Sequence, residues 1–188
     1  ETAMKWIDVT PEEARKHPFH GVGGWLFVTA VMIIATIGFN AVGTFGEPTP
    51  DLSGAPESLA WLIRAEYAAA AVMVIWGVLA LALMFGMRKA FRPVFIAFMI
   101  ALPLVSFADI VAAYEIGRQF NPGLTWEDLI DKDVIRATVG GSVRALIWVS
   151  YVIVSRRVNV TFYNRVLRDD LKLVRPEGGT TPASPVLS

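Results

Sequence analysis

The chain has 188 residues, of which 54% are hydrophobic and only 18% charged, and its formal net charge is zero; its mean hydropathy is +0.50. A soluble domain carries about 25% charged residues, so the composition points to lipid, and the length leaves room for one domain. There is no cysteine, which excludes disulfides, thiolate metal sites and cysteine nucleophiles.

Residues 1–20 read as a cytoplasmic or interfacial segment with one short helix. Thr10, Pro11 and Glu13 form a capping box with proline at the first helical position. The helix should end near His17, because Pro18 disfavours helix at the residue before it. His17 and His20 then precede "GVGGWLFV". No strand leads into these glycines, as a phosphate loop requires, and the histidines lack a third ligand. The reading is interfacial histidines, with no metal and no cofactor, and glycines that let the chain turn into the bilayer and approach a neighbouring helix. Trp25 suits headgroup depth.

A membrane helix needs about 20 mostly apolar residues, and four segments qualify, at roughly 22–45, 59–87, 91–114 and 137–154. The first is too long, and its flank too acidic (Asp8, Glu12, Glu13), for a cleaved signal peptide. The connections alternate in charge. The first holds Glu47, Asp51 and Glu57 without Lys or Arg, and the second, "MRKAFRP", holds Arg88, Lys89 and Arg92. The third is acid-rich, and its Thr125 can cap a short helix carrying Trp126. Residues 156–175 are basic and read as an interfacial extension of the fourth span on anionic lipid. The tail 176–188 reads as disordered. Basic segments belong in the cytoplasm. The fold class is therefore an all-α membrane protein: an antiparallel four-transmembrane-helix bundle over residues 21–155, with both termini cytoplasmic.

The two ends of that domain carry motifs. "GVGGWL" supplies Gly21, Gly23, Gly24 and Trp25, and "RALIWVSYVIVSRRVNVTF" supplies Arg144, Trp148, Tyr151, Ser155, Arg157, Val158, Thr161 and Phe162. This pattern resembles the bacterial membrane-protein family catalogued as domain of unknown function 2569. The resemblance implies a multi-pass protein of the bacterial inner membrane and assigns no reaction. Ser150 departs from the proline expected before the tyrosine.

Ionisable residues inside a membrane default to functional hypotheses. Asn40, Arg64, Glu66, Asp109 and Arg144 all fall in the outer third of their spans and form a candidate outer-leaflet polar pocket. Asp109 and Arg144 lie about 8 and 10 Å deep at 1.5 Å per residue, so an ion pair between them is expected. Glu66 and Arg64 are about 200° apart on a helix, so only one can join the cluster. Glu66 is preferred, and Arg64 snorkels outward. No histidine or lysine lies within a span and no hydrolase or metal motif occurs, so no catalytic residue is assigned and the chain is not read as an enzyme. A nucleic-acid role is not expected. The leading function is an accessory or interaction partner of a membrane complex, or a self-associating bundle. The alternative is a small transporter or ligand-binding membrane protein that uses the outer pocket.

Overall fold

The computed structural model describes residues 5–175 except Glu47, Thr49, Pro50, Leu52 and Ala55. The expected disordered tail from Pro176, the first four residues of the N-terminal segment, and the charge of Glu47 in the first connection lie outside the described residues.

The described chain is mostly helical. In order it forms β1 (Trp6–Asp8), α1 (Pro11–Lys16), α2 (Trp25–Phe45), α3 (Glu57–Phe85), α4 (Phe91–Phe120), α5 (Trp126–Leu129), α6 (Lys132–Val154), α7 (Arg156–Tyr163), β2 (Arg165–Leu167), a 3-10 turn over Arg168–Asp170, and α8 (Leu171–Val174). Four of these, α2, α3, α4 and α6, are long and apolar enough to cross a membrane. Their boundaries differ from the hydropathy reading at the polar ends. α4 runs on through Glu115 and Arg118 to Phe120, and α6 begins at Lys132. Apolarity marks the part of a helix that suits lipid, whereas the backbone helix continues until a cap ends it. Asp131 is that cap for α6, its carboxylate accepting from the Asp133 and Val134 amides at 2.9 and 2.7 Å. At α5, Asp128 accepts from both the amide and the hydroxyl of Thr125. Trp126 stacks on Tyr114 of α4, with ring centroids 3.8 Å apart.

α3 packs on α2 and α4, and α4 packs on α6. Phe45 meets Tyr67 edge-on, and Trp76 meets Phe98. The core is concentrated at one end of these helices. It holds Leu26, Ala30 and Ile33 of α2, Met73 and Met84 of α3, Phe91, Phe95, Phe98 and Met99 of α4, and Ala145 and Val152 of α6. Val158 and Phe162 of α7 complete it, and Phe162 stacks on Phe91 with centroids 4.8 Å apart. Such a pair adds about 0.5–1.5 kcal/mol beyond its burial.

Residues 156–175 do not continue α6 as one helix. Ser155 leaves the helical conformation and its hydroxyl caps α7, accepting from the Val158 amide at 3.4 Å. Asn164 takes a left-handed conformation, φ 53°, which its short polar side chain tolerates. The chain then turns back, and β2 pairs antiparallel with β1, Ile7 opposite Val166. This is a correction to the all-α reading: three-residue strands are too short to show an alternating pattern. Ala14, Val160, Val166 and Val174 form a second small core between the two terminal segments. Glu13 closes it by accepting two hydrogen bonds from Arg175, 2.6 and 3.1 Å.

His17 is likewise buried in this terminal unit, only 3% exposed, where an interfacial position was expected. α1 ends at Lys16, and the His17 ring tucks inward. Its Nδ1 accepts from the Phe19 amide at 3.1 Å, and its Nε2 lies 4.0 Å from Asp170 without a hydrogen-bond partner among the described residues.

Burial holds the His17 imidazole below its usual range; Asp170 opposes this and Arg156 adds to it. The Arg175 hydrogen bonds, with the Thr10 amide, hold Glu13 at about 2 against an ordinary 4.5. In both cases the folded unit binds fewer protons than the unfolded chain, so its stability falls as pH falls. The His17 share is lost as pH drops below 6.5, and the Glu13 share between 4.5 and about 2. The protection of the Ile7 and Val166 amides, relative to exchange of the unfolded chain at the same pH, should therefore fall in two acid steps. Glu13→Gln should remove the lower step and His17→Gln the upper. Protection that stays constant down to pH about 3 would contradict this linkage.

Candidate functional site

Two sites emerge at opposite ends of the spanning helices. The first is the place where the two sequence motifs meet. The Gly21 amide donates to the Thr161 hydroxyl at 3.0 Å, and the Arg157 guanidinium donates to the Gly21 carbonyl at 3.4 Å. The same guanidinium lies over the Phe19 ring, 5.6 Å from its centroid. Gly21 and Gly24 have φ of +93° and +53°, which an L side chain adopts only under strain. At Gly23 an added Cβ would stand 3.3 Å from Arg157 Nη1. The glycines are therefore the floor on which Arg157 lies. Trp25, next in the motif, is 68% exposed, as an interfacial indole would be. From the closing motif, Ser155 caps α7, Thr161 is buried, Phe162 stacks on Phe91, and Trp148 meets Tyr151 edge-on. Tyr163, just beyond, donates its hydroxyl hydrogen to the Lys89 carbonyl at 3.2 Å, and Arg92 lies over its ring. Entry glycines, closing helix and the α3–α4 turn are thus clasped together. This role is structural.

The second site lies at the other end, where the helices bury little. A cavity of about 760 Å³ sits between α2, α3 and α4, within the size range of small-molecule pockets. Asn40 of α2, Glu66 of α3, and Ser106 and Asp109 of α4 line it, together with Tyr67 and apolar residues such as Ala70 and Met73. Glu66 and Asp109 face each other across the α3–α4 seam. A smaller cavity of about 180 Å³ lies between α2, α4 and α6, and Arg144 lines that one with Thr36 and Thr138. Asn40, Leu102 and Ser106 line both, so the two cavities adjoin there.

The five residues of the candidate pocket are thus not one cluster. Asn40, Glu66 and Asp109 share the larger cavity, and Arg144 lines the smaller. Arg64 lines neither and is exposed. The expected Asp109–Arg144 ion pair is absent. The salt bridges of the described residues are His17–Asp170, Arg156–Asp170, Arg165–Asp8 and Arg175–Glu13, all in the terminal segments. Equal depth is necessary for a pair but not sufficient. Asp109 lines the cavity on the α3 side of α4, whereas Arg144 lines the cavity on the α6 side. The described residues contain no group of three or more His, Cys, Asp or Glu able to hold a metal.

Removing the Thr161 hydroxyl leaves the Gly21 amide without its acceptor, so Thr161→Val should cost about 1–3 kcal/mol of stability in a thermal melt of the detergent-solubilised protein. Arg157→Lys keeps the charge but loses the planar fork, and should lower the melting temperature nearly as far as Arg157→Ala. Full rescue by lysine would mean that charge alone holds the clasp.

No curated protein and no solved structure matches the chain. The family model described as "Protein of unknown function (DUF2569)" matches residues 19–163, a stretch that begins just before the entry glycines and ends just after the closing Thr161 and Phe162. The chain belongs to that family, and its two end motifs form one contact in space.

Proposed function

We propose that this chain is a small multi-pass protein of the bacterial inner membrane that binds a small ligand in the cavity between α2, α3 and α4. The observation that supports this reading is a cavity of about 760 Å³ lined by two carboxyl side chains on helices apolar enough to span a membrane. Carboxyl groups in such a setting are costly, and a ligand-sized space beside them is what a binding role needs. The topology is antiparallel with both termini cytoplasmic. It is supported by the pairing of β1 with β2, by the contact of Tyr163 with the basic turn at Lys89, and by the placement of basic turns in the cytoplasm. The cavity then opens toward the periplasmic side. The packed aromatic core at the cytoplasmic end favours binding over transport, and no reaction is assigned. Exposed basic residues at that end, such as Arg88 and Lys89, rest on anionic headgroups.

A second reading, as a partner of another membrane protein or of a second copy, is favoured by α6. Among the spanning helices it packs closely only on α4, and Gly140 and Gly141 have open space beside them.

Ser106 lines both cavities, whereas Ala80 is fully buried. In intact cells, Ser106→Cys should react with an impermeant charged thiol reagent, and Ala80→Cys should not. A cysteine at Ala90 should react only after permeabilisation. Equal silence at positions 106 and 80 would remove the ligand-binding reading.

A further inference from the structure

We infer that the ligand of this cavity is an organic cation with an apolar body, held by the facing carboxyl groups of Glu66 and Asp109. The inference rests on the ligand-binding reading and specifies its chemistry. No lysine or arginine lines the larger cavity. Arg144 lines the adjoining cavity and forms no salt bridge with either acid. Arg64, two residues from Glu66, lines neither. Every salt bridge among the described residues lies in the terminal segments. The cavity therefore offers two facing carboxyl groups and no basic side chain to pair with them. Uncompensated charge at membrane depth is costly, and a bound cation would relieve that cost.

Size and lining select the kind of cation. A metal ion wants a tight cage of about six to eight oxygens. This space is far larger, and no metal-holding group occurs among the described residues. Much of the wall is hydrocarbon, with Ala69, Ala70, Met73, Leu102 and Val105 beside the two acids. Such walls gain by covering apolar area, which a bare ion does not provide. An anion would meet two carboxyl groups and no basic side chain, and a neutral apolar ligand would leave the two carboxyl groups only each other as partners. A cationic head between the carboxyl groups, with its apolar body along α3 and α4, satisfies both parts of the lining. Asn40 and Ser106 bound the polar edge.

The test uses the full chain in zwitterionic nanodiscs, with protein-free discs to subtract partitioning. The probes are tetraphenylphosphonium and tetraphenylborate, ions of matched shape and opposite charge. The readout is protection of Ser106→Cys from a thiol reagent. Tetraphenylphosphonium should protect and tetraphenylborate should not. Glu66→Gln and Asp109→Asn, each made in the Ser106→Cys background, should weaken protection by about 10–100-fold, the equivalent of losing a charged partner. Their melting temperatures would confirm that they fold. The comparison of the two ions on the unaltered acids stands even if they do not. Equal protection by both ions, or by neither, would overturn the inference while leaving the cavity accessible. Protection by magnesium or potassium alone would overturn it in favour of a metal ion. Failure of Ser106→Cys to react at all would instead overturn the ligand-binding reading beneath it.

Discussion

The fold depends on one contact between residues 136 positions apart: the Arg157 guanidinium laid on the backbone of the entry glycines. Gly23 and Gly24 leave room for the guanidinium, Gly21 offers its carbonyl, and the Phe19 ring lies under the same group. Thr161 secures the same segment from the same short helix. Because α7 follows directly from α6, and the glycines lead directly into α2, this contact ties the first spanning helix to the last. Phe162 then reaches Phe91 at the start of α4, and Tyr163 reaches the α3–α4 turn. One short amphipathic helix so gathers all four spanning helices at one end.

Tightness at that end leaves the other looser. Large aromatic and methionine side chains fill the clasped half. In the far half, around Asn40, Glu66, Ser106 and Asp109, large side chains such as Phe39, Trp61 and Phe107 are exposed, and there the helices enclose cavities. Charge follows the same division. In the terminal unit every acid shown in a salt bridge meets an arginine, and Asp170 also lies near His17. At the far end two acids share a cavity without a basic residue on its walls. Arg144 lines the adjoining cavity and pairs with neither acid.

Much of this was legible in the sequence, for reasons that are local. The capping box at Thr10 is read from residues three apart and is formed, and the short helix expected after Thr125 is present, with Asp128 accepting from the Thr125 amide and hydroxyl. The apolar helices follow from composition alone. Depth in a span is also local, since it is a count along one helix, and the polar residues do gather in one half. Azimuth is not local. Which side of α4 Asp109 faces depends on how α3 and α6 pack against it, and this is why the Asp109–Arg144 pair fails. The β1–β2 pairing and the burial of His17 were hidden for a related reason. Each joins the two ends of the chain, and three-residue strands have no period to read. The entry and closing motifs were visible separately, but nothing in their spacing announced that they touch.

The central claim is that the spanning helices are packed at the clasped end and enclose cavities at the other. Amide hydrogen exchange along α2 in lipid nanodiscs measures this directly, because one helix passes through both halves. Amides from Leu26 to Ile33, beneath the aromatic core, should exchange slowest. Those from Asn40 to Phe45, beside the cavity, should exchange at least about tenfold faster, the signature of a less protected segment. Uniform protection along α2, or faster exchange at the glycine end, would contradict the account.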